Sequence, residues 1–290
     1  MRFSYTEAMC DPACYAPLAQ AAEEAGYDTF LVPDSVCYPQ ASDTKYPYTE
    51  SGERQFLENK PFLDPFTLIP ALGAVTKRLR FATFVLKLPI RSPVLVAKSA
   101  TSIAVLTGER LSLGVGTSPW PEDFLVTFQD WETRGKRMDE MIEIIRGLTT
   151  GDFYEFHGKY YDLPSIKLCP VPTRPIPILI GGHSDAALRR AARHGDGWMF
   201  AGGSIEDLAR YVERLKLFRN ECGRESAPFE IHASSLHAYQ LDGVRQLEDL
   251  GVTDLVIGFR NPYTRSQDKQ PLVEKIELLQ NYAANIISKY

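Results

Sequence analysis

"PIPILIGGHSDAALRRAARHGDGWMFA", residues 175–201, holds one complete unit of the fold and the start of the next. The apolar run 175–181 reads as a strand, 184–194 as a helix opened by Ser184, and 195–201 as a second strand. Where strand hands over to helix the chain discards side chains, at Gly181 and Gly182. Either the turn is tight, or a ligand lies against bare backbone.

Outward from this unit the same alternation fills the chain. Strands are read at 1–6, 27–33, 79–88 and 110–116 before it, and at 229–236 and 253–259 after it. Helices are read at 13–26, 64–77, 92–108, 133–148, 204–222, 241–250 and 271–288. Pro12, Ser92–Pro93 and Thr133 mark starts, and Gly26 and Gly108 mark ends. Eight β/α units without adjacent strand runs predict an all-parallel sheet. Eight units in a chain of 290 residues fit a closed (β/α)8 TIM barrel better than an open sheet. The expectation is an α/β protein, a single TIM-barrel domain over residues 1–290, with no linker and no low-complexity tract.

Two stretches exceed the minimal unit. Residues 35–61, after the second strand, mix Tyr46, Tyr48 and Phe56 with charged residues. That length and mixture suit a mobile lid. Residues 149–175 contain "GDFYEFHGKYYDLP", two β-type segments around His157–Gly158 that read as a small hairpin before the fifth strand.

Composition narrows the function. Apolar residues are 44% and charged ones 24%, as in soluble globular proteins, and the net charge of −5 gives no reason to expect nucleic acid. No apolar run approaches the ~20 residues of a membrane span. The start, "MRFSYTEAMCDPACY", lacks the basic and apolar regions of a secretory signal. Five scattered cysteines without a Cys-x-x-Cys pair speak against a zinc knuckle and for reduced thiols in the cytoplasm. No His/Asp/Glu spacing suggests a metal.

In a barrel of this kind the active site lies at the C-terminal ends of the strands. Three strand ends there are glycine-rich: Gly114 and Gly116, Gly181 and Gly182, and Gly202 and Gly203. Turn geometry alone explains any one pair. Three pairs on one rim, one of them leading into a Ser184-capped helix, point to a phosphate held by backbone N–H groups and a helix dipole.

"IPILIGGHSDAALRRAARHGDGW" resembles the strand–Gly-Gly–helix–GDGW segment of the bacterial luciferase-like flavin and deazaflavin oxidoreductases. "LRFATFVLKLPIRSPVLVAKSATSIAVLTGERLSLGVGTS" resembles the third and fourth strands of that family. "WETRGKRMDEMIEIIRGL" and "FHGKYYDLP" resemble the helix and hairpin that come next. The likeness runs over roughly residues 60–203, in order, and the family fold is the (β/α)8 barrel.

The resemblance assigns Gly181, Gly182, His183 and Ser184 to the cofactor phosphate, assisted by Ala201, Gly202 and Gly203. It places a bulged, non-prolyl cis peptide at Thr83–Phe84, against the back of the flavin or deazaflavin ring. Gly116, Thr117 and Ser118 would lie along the ring or its ribityl chain. The chain departs from the family after the second strand, where many members carry a histidine and this one has Asp34–Ser35. The usual acid/base is therefore missing. Asp34 and Glu122, on the ends of the second and fourth strands, are the carboxyl candidates, with a pKa raised by burial beside an apolar ring.

Other residues have plainer readings. Glu122 and Asp123 also suit a solvated loop, while Trp120 or Phe124 could wall a substrate. His194 reads as a helix end and His157 as a hairpin turn; His232 and His237 flank the seventh strand. Cys10 and Cys14 could line the pocket or simply be buried, and Arg134 and Arg137 read as surface or ion-paired charges.

The resemblance implies an oxidoreductase that moves a hydride between coenzyme F420 and a small organic substrate, with FMN and monooxygenation as the alternative. A homodimer is expected. Two other classes remain open: a non-catalytic flavin-binding barrel, and a barrel hydrolase or isomerase acting on a phosphorylated substrate.

Overall fold

The computed structural model describes residues 1–290 apart from Tyr48 and Glu50. Tyr48 of the expected lid therefore lies outside the described residues. The wall of the barrel comprises β1 (Arg2–Thr6), β2 (Thr29–Val32), β3 (Arg80–Thr83) with its continuation β4 (Leu86–Lys87), and β5 (Leu111–Gly116). A hairpin of β6 (Tyr154–His157) and β7 (Asp162–Ile166) follows. The wall resumes with β8 (Ile178–Gly181), β9 (Gly197–Phe200), β10 (Glu230–Ser234) and β11 (Asp254–Ile257). All wall pairings are parallel, and β3 on β5 together with β1 on β11 closes the ring. The eight expected strands and the closed TIM barrel are present.

The helices are α1 (Tyr15–Ala25), α2 (Pro65–Val75), α3 (Pro93–Leu106), α4 (Pro121–Val126) and α5 (Arg134–Leu148). They continue with α6 (Asp185–His194), α7 (Ile205–Glu221), α8 (Leu241–Asp249) and α9 (Leu272–Asn285). Ser184 and Ser204 cap α6 and α7, each accepting the N–H three residues on. Only α4 was not read from sequence. Pro121 at its start and Glu122 and Asp123 in its first turn stabilise a short helix where a loop was expected.

Strand residues alternate between two cores. The outward set, such as Phe30, Phe81, Ile180 and Trp198, packs beneath the helices. The inward set, Leu31, Ala82, Leu179, Met199 and Val256, fills the barrel beneath the site.

The third strand differs from expectation. Ala82 faces Ser112 and Leu86 faces Val115, so four steps on the third strand oppose three on β5. The extra residue is a bulge. The cis peptide lies within it, at Phe84–Val85 and not at Thr83–Phe84. Thr83 still belongs to regular β3, where its hydroxyl donates to the Gly114 carbonyl at 2.6 Å.

At the opposite end of the barrel a polar plug closes the bottom. Arg2 donates to both oxygens of Asp254, at 2.8 and 2.7 Å, and lies 2.7 Å from Glu230; His232 Nε2 lies 3.0 Å from Glu230. Glu230, His232 and Asp254 have the makings of a metal site, but the Arg2 guanidinium already supplies the cation.

Candidate active site

The C-terminal strand ends open into a cavity of about 1040 Å³. Around the ring, the β8 and β9 ends stand diametrically across from those of β1 and β2. The two sides are built differently.

The β8–β9 side is bare backbone. Gly182 has φ +118° and Gly202 φ +112°, conformations that favour glycine, and a Cβ on Gly202 would meet nothing within 4 Å. His183 ties the two loops together. Its Nε2 accepts the Ala201 N–H at 3.2 Å and its ring stacks on Phe200 at 4.8 Å. Burial holds its pKa below the usual histidine range, which favours the neutral form that accepts this bond. The Trp198 indole donates to the Gly182 carbonyl at 2.8 Å, fixing the turn from beneath. Gly181, Gly182, His183, Ser184, Ala201, Gly202 and Gly203 all line the cavity, beside the open first turn of α6.

The floor is the bulge. Phe84 and Val85 line the cavity, with Gly116, Thr117 and Ser118 beside them. A Cβ on Gly116 would lie 2.8 Å from Val85 Cγ2, and one on Gly181 would lie 3.0 Å from Val85 Cγ1. These two glycines make room for Val85, not directly for a ligand. Gly114 is further from the role expected of it: its Cβ would fall 1.9 Å from the Thr83 carbonyl. Thr83, fully buried and absent from the cavity wall, supports the floor and does not face a ligand.

Neither carboxyl candidate stands free in the cavity. Asp34 lines it, but both oxygens are engaged: Arg91 donates to Oδ1 and the Lys87 N–H to Oδ2, at 2.9 and 2.8 Å. Arg91 Nη1 lies a further 2.9 Å from Oδ2. Glu122 is not part of the wall. It accepts from Ser42 and Thr44 and pairs with Arg54 at 3.1 Å. Burial pushes its pKa up, but the Ser42 hydroxyl and the Arg54 guanidinium outweigh it and hold the carboxyl below its usual range. The expected burial-raised acid is therefore not found at Glu122.

The β1–β2 side was largely unread from sequence. Glu7 follows β1 and reaches the cavity beside Arg260, 3.0 Å away. Buried Lys275 bridges Glu7 and Asp268 at 3.2 and 2.7 Å. Lys87 lines the floor and pairs with buried Asp123 at 2.7 Å; the Ser118 hydroxyl bonds the same oxygen. Residues 35–61 contribute Tyr46 and Phe56, which pack with Trp120 and Tyr263 at centroid distances of 5.1–5.7 Å. Trp120 lines the cavity; Phe124 does not, and is buried against Trp131 at a centroid distance of 5.1 Å. Cys10 is fully buried, its thiol pushed up to about 12 by burial. The only signals for Glu7, Lys87 and Arg260 were their places just past or at strand ends.

Residues 6–271 match the luciferase-like monooxygenase family. An uncharacterized protein of Mycobacterium tuberculosis is 59% identical over 100% of both chains. An F420-dependent glucose-6-phosphate dehydrogenase of Gordonia bronchialis is 31% identical over 71% of this chain and 57% of its own. Among solved structures, the monooxygenase RslO1 from Streptomyces bottropensis superposes with TM-score 0.79 at 17% identity, covering 100% of both chains. The coenzyme F420 dependent tetrahydromethanopterin reductase of Methanopyrus kandleri gives 0.76 at 13% identity over 100% and 99%. Those two likenesses carry the fold. The sequence match, on top of the bulged floor and the bare-backbone rim, places this chain in the luciferase-like monooxygenase family.

Proposed function

We propose that the protein is an F420-dependent oxidoreductase that transfers a hydride between the deazaflavin and a small organic substrate. The observation that carries this is the pairing of an apolar floor at Val85 with the open backbone at Gly202 within one cavity of about 1040 Å³. The residues fit the group. The loops at 181–184 and 201–203 with the α6 dipole would hold its phosphate, and Val85 would support its ring. The F420-dependent relative supports the choice of cofactor over FMN.

When bound, F420 supplies a carbon that gives or takes a hydride. The protein's own part is positioning and exclusion of water. The 35–61 segment acts as a lid, joined to the rim through Tyr46, Phe56 and Arg54. Both oxygens of Glu7 and of Asp34 already accept hydrogen bonds, so the accompanying proton is exchanged with solvent when the lid is open. The test is oxygen dependence. Protein with reduced F420 is mixed anaerobically with a panel of ketones and enones. Cofactor oxidation without oxygen is expected; a strict need for oxygen would favour a monooxygenase instead.

A further inference from the structure

We propose, resting on that reading, that the substrate half of the cavity is built for an uncharged, ring-bearing organic compound and excludes phosphate esters and carboxylates. Four charged side chains line the described wall: Glu7, Asp34, Lys87 and Arg260. Each is neutralised before a ligand arrives. Lys87 is spent on Asp123 and Asp34 on Arg91. Glu7 and Asp268 together balance Arg260 and Lys275. His183 turns Nε2 to accept the Ala201 N–H and so presents no cation on that side.

An anionic substrate under the lid would lose its hydration and find no unpaired cation among the described residues that line the cavity. Desolvating an ion without a partner is strongly unfavourable. Aromatic side chains are concentrated in this half: Tyr46, Phe56, Phe62, Trp120 and Tyr263 line it. Tyr46 stacks on Trp120 with an interplanar angle of 11°, and Phe56 meets Tyr263 edge-on at 89°. Ring edges and faces arranged this way favour a flat apolar molecule, which gains both buried area and ring–ring contact. The charge balance therefore separates this pocket from one built for a sugar phosphate.

Calorimetric titration tests this with three probes: 2-acetylnaphthalene, 2-naphthoate and glucose 6-phosphate, each with and without F420. The ketone is expected to bind at least tenfold tighter than either anion. Equal or tighter binding of an anion would overturn the proposal, as would no ketone binding up to its solubility. Glu7→Gln leaves Arg260 and Lys275 in excess and should improve naphthoate affinity at least fivefold. Trp120→Ala should weaken the ketone at least fivefold. No change in either folded variant would also overturn it. The titrations without F420 are run in Gly182→Val, so that an anion held by the 181–184 cradle is not counted against the substrate half; a failure of F420 to bind would then sink the cofactor assignment without touching this ranking.

Discussion

Arg54 Nη1 stands 3.1 Å from Glu122 Oε2, with its guanidinium 4.1 Å from the Trp120 ring centroid. The pair joins the 35–61 segment to α4, and both side chains are mostly buried. Truncating one partner leaves the other uncompensated, at a cost of about 1–3 kcal/mol. Arg54→Ala should therefore raise the rate of limited proteolysis within 35–61 at least threefold, with the melting temperature lowered by only a few degrees. Unchanged cleavage would show that the latch does not hold this segment. Because the folded Glu122 pKa is depressed, the latch's contribution is fully present above the ordinary glutamate pKa of about 4.3 and is lost as pH falls through the lower folded value.

Asp34 is an anchor for the bulge, and its amide variant separates that role from acid catalysis. Asp34→Asn weakens a buried, doubly hydrogen-bonded pair with Arg91 and should lower stability by about 2–4 kcal/mol. The shape of the kcat–pH profile should not change. Loss of one limb of that profile in the folded variant would identify Asp34 as the acid after all.

Gly182 sits at φ +118° with the Ala187 Cβ only 2.9 Å from where its own Cβ would be. Gly182→Val should strain the turn and crowd the α6 N-terminus, weakening F420 binding more than tenfold, or about 1.4 kcal/mol. Retained affinity in a folded variant would remove the cradle from these loops.

Val85 fills the space left by Gly116 and Gly181. Val85→Ala should flatten the floor and weaken F420 at least fivefold, while costing only about 1 kcal/mol of stability. Equal affinity would mean that the ring does not rest there.

The bottom plug should matter for stability alone. Burial pushes the Asp254 carboxyl up, but Arg2 and His232 outweigh it, and the balance at Glu230 also falls low. Their stabilisation is present above about pH 4–5 and is lost as pH drops through the lowered folded values. Asp254→Asn should lower the melting temperature and blunt its acid dependence, with F420 affinity unchanged. A loss of F420 affinity would contradict the separation of the two barrel ends.

The eight strands and their helices were legible because apolar runs, caps and glycine stops recur at each unit. The hairpin at 149–175 was legible for the same reason. What was not legible depends on contacts between distant segments. Nothing local tells that Gly114 makes way for the Thr83 carbonyl while Gly202 faces open space. The one-residue bulge appears only when β3 and β5 are laid in register. Glu122 read as a rim acid because its partners, Ser42 and Arg54, lie about 80 and 68 residues away in sequence. Glu7 and Arg260 are 253 residues apart, so their pairing needed the closed ring.

The most direct measurement is a parallel titration of the purified protein with F420 and with FMN, followed by absorbance and fluorescence. F420 is expected to bind at least tenfold more tightly than FMN, with the preference intact in Trp120→Ala and the affinity reduced in Gly182→Val. Tighter binding of FMN, or no binding of either, would contradict a deazaflavin-dependent hydride transfer.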